Sequence, residues 1–219
     1  MKAFIAAATV ASFAFQGIPT AQAAGDGWSI VPYAGFSQLG DQNPTISGAG
    51  DIVDGELDVS VESGFTAGLG VRYGYKDSPW TSEFGWEYRS NDSDATSADG
   101  TALPGGNYAS NIFYLNGRYA LRESGSLTPW IGGGITWIQE VDLDSEDSEG
   151  ERSFSASGSV GFQAMVGVDY ELSDRFYFTS ELRYSNLTDL TLDQEGGNGQ
   201  VNGIDYQPLT LGIGVGIRL

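Results

Sequence analysis

The chain has 219 residues, a formal net charge of −19 and neither histidine nor cysteine. The missing residue types exclude Ser-His-Asp and Cys-His catalysis, the usual zinc sites and any disulfide framework, and the acidic surface repels the phosphates of nucleic acids. We therefore expect no cofactor, no nucleic-acid partner and no enzymatic activity, since no spacing of Asp and Glu selects a pair for an acid-pair hydrolase.

The first 23 residues have the features of an export signal. Lys2 gives a positive start, residues 3–15 form an apolar run, and Ala21-Gln22-Ala23 is a small-x-small cleavage site. An N-terminal membrane anchor would need about 20 apolar residues, and this run ends at Gln16. We predict a signal peptide over residues 1–23 and a single domain over residues 24–219.

After the signal, apolar residues alternate with small or polar residues in separate segments, with the period of two that is typical of β-strands. The connections between segments alternate between short turns, such as Lys76-Asp77-Ser78-Pro79, and long polar stretches. The predicted strands cover residues 28–37, 61–75, 80–89, 107–121, 128–139, 154–172, 176–187 and 209–219.

The last segment indicates what surrounds these strands. Its aliphatic face opposes three glycines and Arg218, although interior glycine weakens an ordinary strand. A membrane barrel explains this, because lipid covers the outer face and a narrow lumen accepts small side chains. Aromatic girdles at the two membrane surfaces would include Trp28, Trp80, Trp86, Trp130 and Trp137. We predict an all-β fold, an eight-stranded antiparallel up-and-down transmembrane β-barrel with four long extracellular loops and short periplasmic turns.

Four short patterns resemble the small eight-stranded outer-membrane barrels, which include the OmpA-like transmembrane domain and the opacity-type surface proteins. They cover residues 27–36, 129–135, 181–184 and 212–216. The resemblance implies a location in the bacterial outer membrane, insertion by the barrel assembly machinery, and contact with outer-membrane lipid and lipopolysaccharide. Many such barrels end in an aromatic residue, and Leu219 departs from that pattern.

The polar faces of the predicted strands carry charges that would lie in the lumen. Buried charges persist when they are paired, and the guanidinium fork suits carboxylates. We therefore predict an ion-pair network that closes the lumen in its periplasmic half, with a gated, cation-leaning pore as the alternative. The predicted network consists of Arg72, Glu83, Glu87, Arg89, Arg118, Asp169, Glu181, Arg183 and Arg218.

The third long connection is strongly acidic, and oxygen ligands of this kind bind calcium or magnesium. The spacing lacks the order of an EF-hand loop, so a solvated, repulsive loop is the alternative. The candidate ligands are Asp142, Asp144, Glu146, Asp147 and Glu149.

Three classes of function fit these observations. The first is a structural or surface-interaction protein that acts through its acidic extracellular loops, where it meets divalent cations or a surface ligand. The second is a narrow passive porin for small solutes. The third is a soluble, lipocalin-like carrier of an apolar ligand, which would need apolar inward faces. The predicted inward faces carry glycine, arginine and glutamate instead, so this third class is disfavoured.

Overall fold

The structure, a computed structural model, describes residues 26–50, 52–121, 126–147 and 150–219. In these ranges thirteen strands form one antiparallel sheet, and no helix is long and apolar enough to cross a membrane. The predicted signal peptide lies outside the described residues. The strands are β1 (Gly27–Gln38), β2 (Thr45–Ser47), β3 (Gly55–Glu56), β4 (Asp58–Val61), β5 (Gly64–Gly74), β6 (Trp80–Thr96), β7 (Ala102–Ala120), β8 (Leu127–Asp147), β9 (Gly150–Ala156), β10 (Val160–Glu171), β11 (Phe176–Gln194), β12 (Gln200–Tyr206) and β13 (Leu209–Arg218).

The longest pairings form a closed ring, which we call the lower ring. In order around it, β1 pairs with β5, β5 with β6, β6 with β7, β7 with β8, β8 with β10, β10 with β11, β11 with β13, and β13 with β1. The β5–β6, β7–β8 and β10–β11 connections are short and lie at one end of this ring, together with the start of β1 and the end of β13. We call this the short-turn end.

The two faces of the lower ring differ in chemistry because side chains alternate along each strand. On β8, Leu127, Ile131, Ile135 and Trp137 point outward and are 42% to 49% exposed, whereas Thr136 is buried inside. Among the described residues, the exposed large hydrophobic side chains lie on the lower ring or its turns, with Val53 as the exception. This apolar exterior extends over about 11 residues of β8, the length that spans the hydrocarbon core of a membrane.

A second ring, the upper ring, continues from the lower one. Strands β6, β7, β8 and β11 extend beyond the lower ring and pair there with shorter strands: β4 with β6, β8 with β9, β9 with β11, β11 with β12, β12 with β2, and β2 with β3. Leu57 alone separates β3 from β4, so these two strands close the ring between β2 and β6.

Strands therefore occupy much of the sequence that we expected to form long loops. The predicted strand over residues 154–172 is two strands, β9 and β10, and the predicted strand over residues 61–75 belongs to β4 and β5. Strands β9 and β10 both pair with β8 and β11, and strands β4 and β5 both pair with β6, so in each case a short interruption divides the strand while the chain keeps a ring partner. Strands β6, β7, β8 and β11 are longer than predicted. The sequence did not indicate their full length because acidic residues make these segments polar on average, although apolar residues alternate with them.

An apolar core fills the upper ring. This contrasts with the polar interior that the sequence analysis assumed throughout the barrel. The core consists of Leu39, Ile46, Ala49, Ile52, Leu57, Val59, Leu103, Tyr108, Ile112, Ile138, Val141, Leu143, Phe154, Leu187, Leu190, Leu192, Val201, Ile204 and Tyr206. Packing of this core holds the upper strands together outside the lower ring.

Candidate functional site

A cluster of ion pairs lies inside the lower ring near its short-turn end. Arg72 on β5 and Glu83 on β6 are register partners, and Arg72 Nε donates to Glu83 Oε2 at 2.6 Å. Arg118 on β7 donates through Nη2 to both oxygens of Asp169, at 3.0 and 3.2 Å. Arg72 also lies 3.8 Å from Asp169 and from Glu181. These side chains are at most 7% exposed, so the charges compensate one another in a site that excludes most water.

Trp130 completes this cluster. Its indole Nε1 donates to Asp169 at 3.0 Å, and the Arg118 guanidinium lies 3.6 Å from the centre of its ring. The prediction that Trp130 belongs to an outer aromatic girdle is wrong, since its side chain is buried inside the ring. Trp130 occupies an inward position on β8, because it alternates with the outward-facing Ile131.

A second cluster lies farther from the short turns. Arg183 on β11 donates to Glu87 at 2.8 Å and also contacts Glu181. Arg89 pairs with the other oxygen of Glu87, and the Tyr33 hydroxyl donates to Glu87 at 2.7 Å. Each of the two carboxylates thus accepts from at least one guanidinium in a buried setting, which is the arrangement that makes buried charge tolerable.

Glycines provide room for aromatic rings inside the lumen. A Cβ on Gly85 would lie 2.3 Å from the Tyr114 hydroxyl, and one on Gly216 would lie 2.0 Å from the Tyr177 ring. Each glycine is the register partner of the tyrosine that it accommodates. The glycine alternation in the sequence therefore reflects cross-strand packing against aromatic side chains.

Arg218 differs from the other predicted network residues. It donates to Glu171 at 2.5 Å and to the carbonyl of Asp174 at 3.0 Å, and its side chain is 17% exposed. We predicted that Arg218 belongs to the buried network, but it is partly exposed. The reason is its position: it is the last residue of β13 and lies at the mouth of the ring. Glu171, which the sequence analysis did not include, is its partner.

Tyr206 forms the boundary between the lumen charges and the apolar core above them. Its hydroxyl accepts from Arg89 Nη1 at 3.0 Å and is hydrogen-bonded to Ser110 at 2.6 Å. Its ring stacks on Tyr108 with centroids 5.7 Å apart. Tyr206 was not predicted as a site residue because it lies outside the predicted strands, whereas the structure places it at the end of β12.

The acidic candidates for a metal site lie on the upper ring. Burial, reinforced by the neighbouring Glu140, Asp144 and Glu195, raises the pKa of Asp142 to about 6. The described residues contain no group of three His, Cys, Asp or Glu side chains placed to hold a metal ion. The side chains of Glu146 and Asp147, and all of Glu149, lie outside the described ones, so cation binding by this segment stays a prediction.

Large buried side chains occupy much of the described part of the lower lumen. A pocket of about 10 Å³ at the short-turn end is lined by Arg72, Arg118, Asp169, Tyr177 and Arg218, among others. That volume is about the space of one water molecule. Buried charged side chains, tyrosine rings and Trp130 lie around this pocket and above it.

Comparison with known proteins agrees with this architecture. The family model described as "Outer membrane protein beta-barrel domain" matches residues 4–218. No curated protein sequence matches the chain significantly.

Solved structures of outer-membrane proteins share the fold. OprG from Pseudomonas aeruginosa is 18% identical with a TM-score of 0.64, over 89% of this chain and 97% of that one. AlkL, determined by solid-state NMR in DMPC bilayers, is 16% identical with a TM-score of 0.55, over 93% and 97%. A major outer membrane protein from Thermus thermophilus is 12% identical with a TM-score of 0.53, over 88% and 99%. At these identities the likeness shows the fold alone. Because the family model spans nearly the whole sequence, the chain belongs to the outer membrane protein beta-barrel domain family and is a protein of the bacterial outer membrane.

Proposed function

We propose that the lower ring is an eight-stranded transmembrane barrel with a closed lumen, and that the protein is a non-enzymatic scaffold that presents an acidic surface outside the cell. In this arrangement the short turns face the periplasm and the upper ring projects from the membrane. Export through the signal peptide, insertion by the barrel assembly machinery, and contact with lipid and lipopolysaccharide are parts of the same proposal.

The buried ion pairs inside the lower ring are the observation that carries this proposal. Four buried arginines pair with four buried carboxylates: Arg72 with Glu83, Arg89 with Glu87, Arg118 with Asp169, and Arg183 with Glu181. These pairs leave no net charge inside, and the apolar core of the upper ring lies above them. An ion that entered would have to leave water for a packed, largely apolar interior, which is strongly unfavourable.

The distribution of the remaining charge supports a role for the upper ring. Residues 39–63, 90–106, 139–159 and 186–208 contain 20 of the 29 Asp and Glu residues and one of the 10 Lys and Arg residues. Much of the described part of these segments is in strands of the upper ring, so we infer that this ring presents an acidic surface. Such a surface attracts cationic ligands and repels anionic ones.

A narrow cation-leaning porin is the alternative. The acidic upper ring would favour cations at its entrance, but the apolar core between that entrance and the lumen charges opposes their passage. We therefore place the surface role first.

Binding of a lysine-rich peptide to the protein in nanodiscs tests the surface role. We expect binding that weakens steeply with salt and that is reduced in a variant with Glu140→Gln and Asp193→Asn. A matched variant with Asp77→Asn and Asp174→Asn, both at the short-turn end, should bind like the unmodified protein. Equal binding by both variants would contradict a function of the upper acidic surface.

A further inference from the structure

The wall of the upper ring contains a seam, where β11 is not paired with the segment that joins β9 to β10. Strand β11 pairs with β10 at Asn186 and Phe162 and with β9 at Asp193 and Ser155. Six residues separate these points on each strand, so the register is the same on both sides of the seam. Between them, residues 156–161 and 187–192 form no ladder with each other, although both segments are within the described ranges. Leu187 lies in the seam, because a Cβ on Gly161 would meet its Cγ at 2.3 Å.

Residues 187–206, the end of β11 and all of β12, form a hairpin that borders this seam. We call it the lid hairpin. Its outer edge meets β9 at Asp193 and Gln194 and gains one further backbone bond, from Glu195 to Ser153. Its other edge pairs with β2 from Gln200 to Asn202, and the Gln42 side-chain amide donates to the Asp205 carbonyl at 3.1 Å. By comparison, β7 and β8 stay paired from Asn107 to Ala120. The lid hairpin is therefore held to its neighbours by far fewer backbone hydrogen bonds than these long strands are.

Both roots of the lid hairpin interrupt regular strand structure. The β11–β12 pairing shifts register between Leu187 and Leu190 and again at Thr191. On the other root, Gln207 and Pro208 separate β12 from β13. A register shift and a proline break are features that concentrate bending in a sheet.

A polar contact at the base of the lid hairpin fastens it to the lower ring. Tyr206 is the last residue of β12, and its hydroxyl binds Arg89 Nη1 and Ser110 Oγ, at 3.0 and 2.6 Å. Tyr108 stacks on the same ring, but its own hydroxyl is buried with no hydrogen-bond partner among the described residues. The two stacked tyrosines thus differ in one respect, since only Tyr206 connects the hairpin to the lumen charges.

We propose that the lid hairpin is a hinged lid on the interior of the upper ring, and that Tyr206 is its latch. The structure shows the closed state. Leu190, Leu192, Val201 and Ile204 on the hairpin pack into the apolar core, so the closed state dominates in the absence of a ligand or partner that replaces these contacts. The lid depends neither on the acidic surface nor on the orientation of the barrel in the membrane.

A single buried thiol measures opening of the lid. Thr136 lies inside the lower ring and is 1% exposed. Its hydroxyl has no hydrogen-bond partner among the described residues, so Thr136→Cys removes no hydrogen bond. Because the chain has no cysteine, a charged maleimide labels this position alone. We expect Tyr206→Phe to raise the labelling rate of folded, heat-modifiable protein about tenfold, the effect of losing one hydrogen bond to a charged group. Tyr108→Phe, the matched control, should leave the rate unchanged.

Two cross-links show where the opening occurs. Register partners in antiparallel strands are close enough for a disulfide. One pair, Ser155→Cys with Asp193→Cys, fastens the lid edge, and the other, Asp58→Cys with Thr96→Cys, fastens the wall between β4 and β6. We expect the oxidised lid cross-link to slow labelling at Thr136→Cys and the wall cross-link to have no effect. Equal labelling of the two tyrosine variants, or equal effects of the two cross-links, would overturn the lid.

Discussion

Removal of the Arg118 guanidinium tests the energetic role of the lumen network. Among the described residues, Arg118→Ala leaves Asp169 with the Trp130 indole as its side-chain hydrogen-bond donor, and with Arg72 at 3.8 Å. Removing one partner of a buried ion pair lowers the free energy of unfolding by about 3 to 5 kcal/mol. The loss of the cation–π contact with Trp130, at 3.6 Å, adds to this. We expect a decrease of about 3 kcal/mol or more, measured by denaturant unfolding in lipid vesicles with tryptophan fluorescence.

A double-mutant cycle separates this pairing from the loss of packing. Arg118→Met with Asp169→Leu removes both charges and keeps much of the side-chain volume. Because neither charge is then left unpaired, the double variant should be more stable than the sum of the two single effects predicts, by about 2 kcal/mol. Strictly additive effects, or a loss below about 1 kcal/mol for Arg118→Ala, would refute the claim that paired charges in the lumen stabilise the folded protein.

Three further predictions concern separate parts of the molecule. Gly85→Ala should lower the free energy of unfolding by about 1 to 3 kcal/mol through overpacking, while Gly117→Ala, whose Cβ would meet nothing closer than 3.9 Å, should not; equal losses in denaturant unfolding would refute the glycine–tyrosine packing. The Asp142 carboxyl should titrate by NMR with a midpoint near its raised pKa of about 6, and Glu140→Gln should lower that midpoint only in part, because burial is the larger cause; a midpoint near 4 would contradict this placement. Since a raised pKa means that the folded state holds the proton more tightly, the stability contributed by protonated Asp142 is lost as the pH rises through about 6. Arg218→Ala should cost about 1 kcal/mol or less, because this pair is partly exposed, and a loss as large as that of Arg118→Ala would place it in the buried network.

The lower ring follows closely from the period-two pattern, because lipid and lumen impose opposite requirements on alternate residues. The upper ring does not follow from that pattern as readily. Its strands carry acidic residues, such as Glu140 and Asp142 on β8, and these make the segment polar on average, although Val141 and Leu143, which alternate with them, are buried. Average polarity therefore concealed an alternation that was present in the sequence.

The charged residues of the site were predictable as a group, since Arg and Glu on an inward strand face need partners. Their individual pairings depend on register, which no local pattern determines: Arg72 meets Glu83 because these residues are directly opposite across β5 and β6. Tyr206 was beyond prediction for a different reason. It reaches Arg89 only because β12 continues the wall above β13, and that continuation depends on tertiary packing of the upper core.

Single-channel recording of the refolded protein in planar bilayers tests the central claim, that the barrel is closed, most directly. A boiled and unboiled gel comparison first establishes that the protein has folded. We expect no steady conductance steps from the folded protein, because paired charges and an apolar core fill the path. Steady, cation-selective steps would contradict the closed lumen and would make the buried arginines and glutamates the lining of a pore.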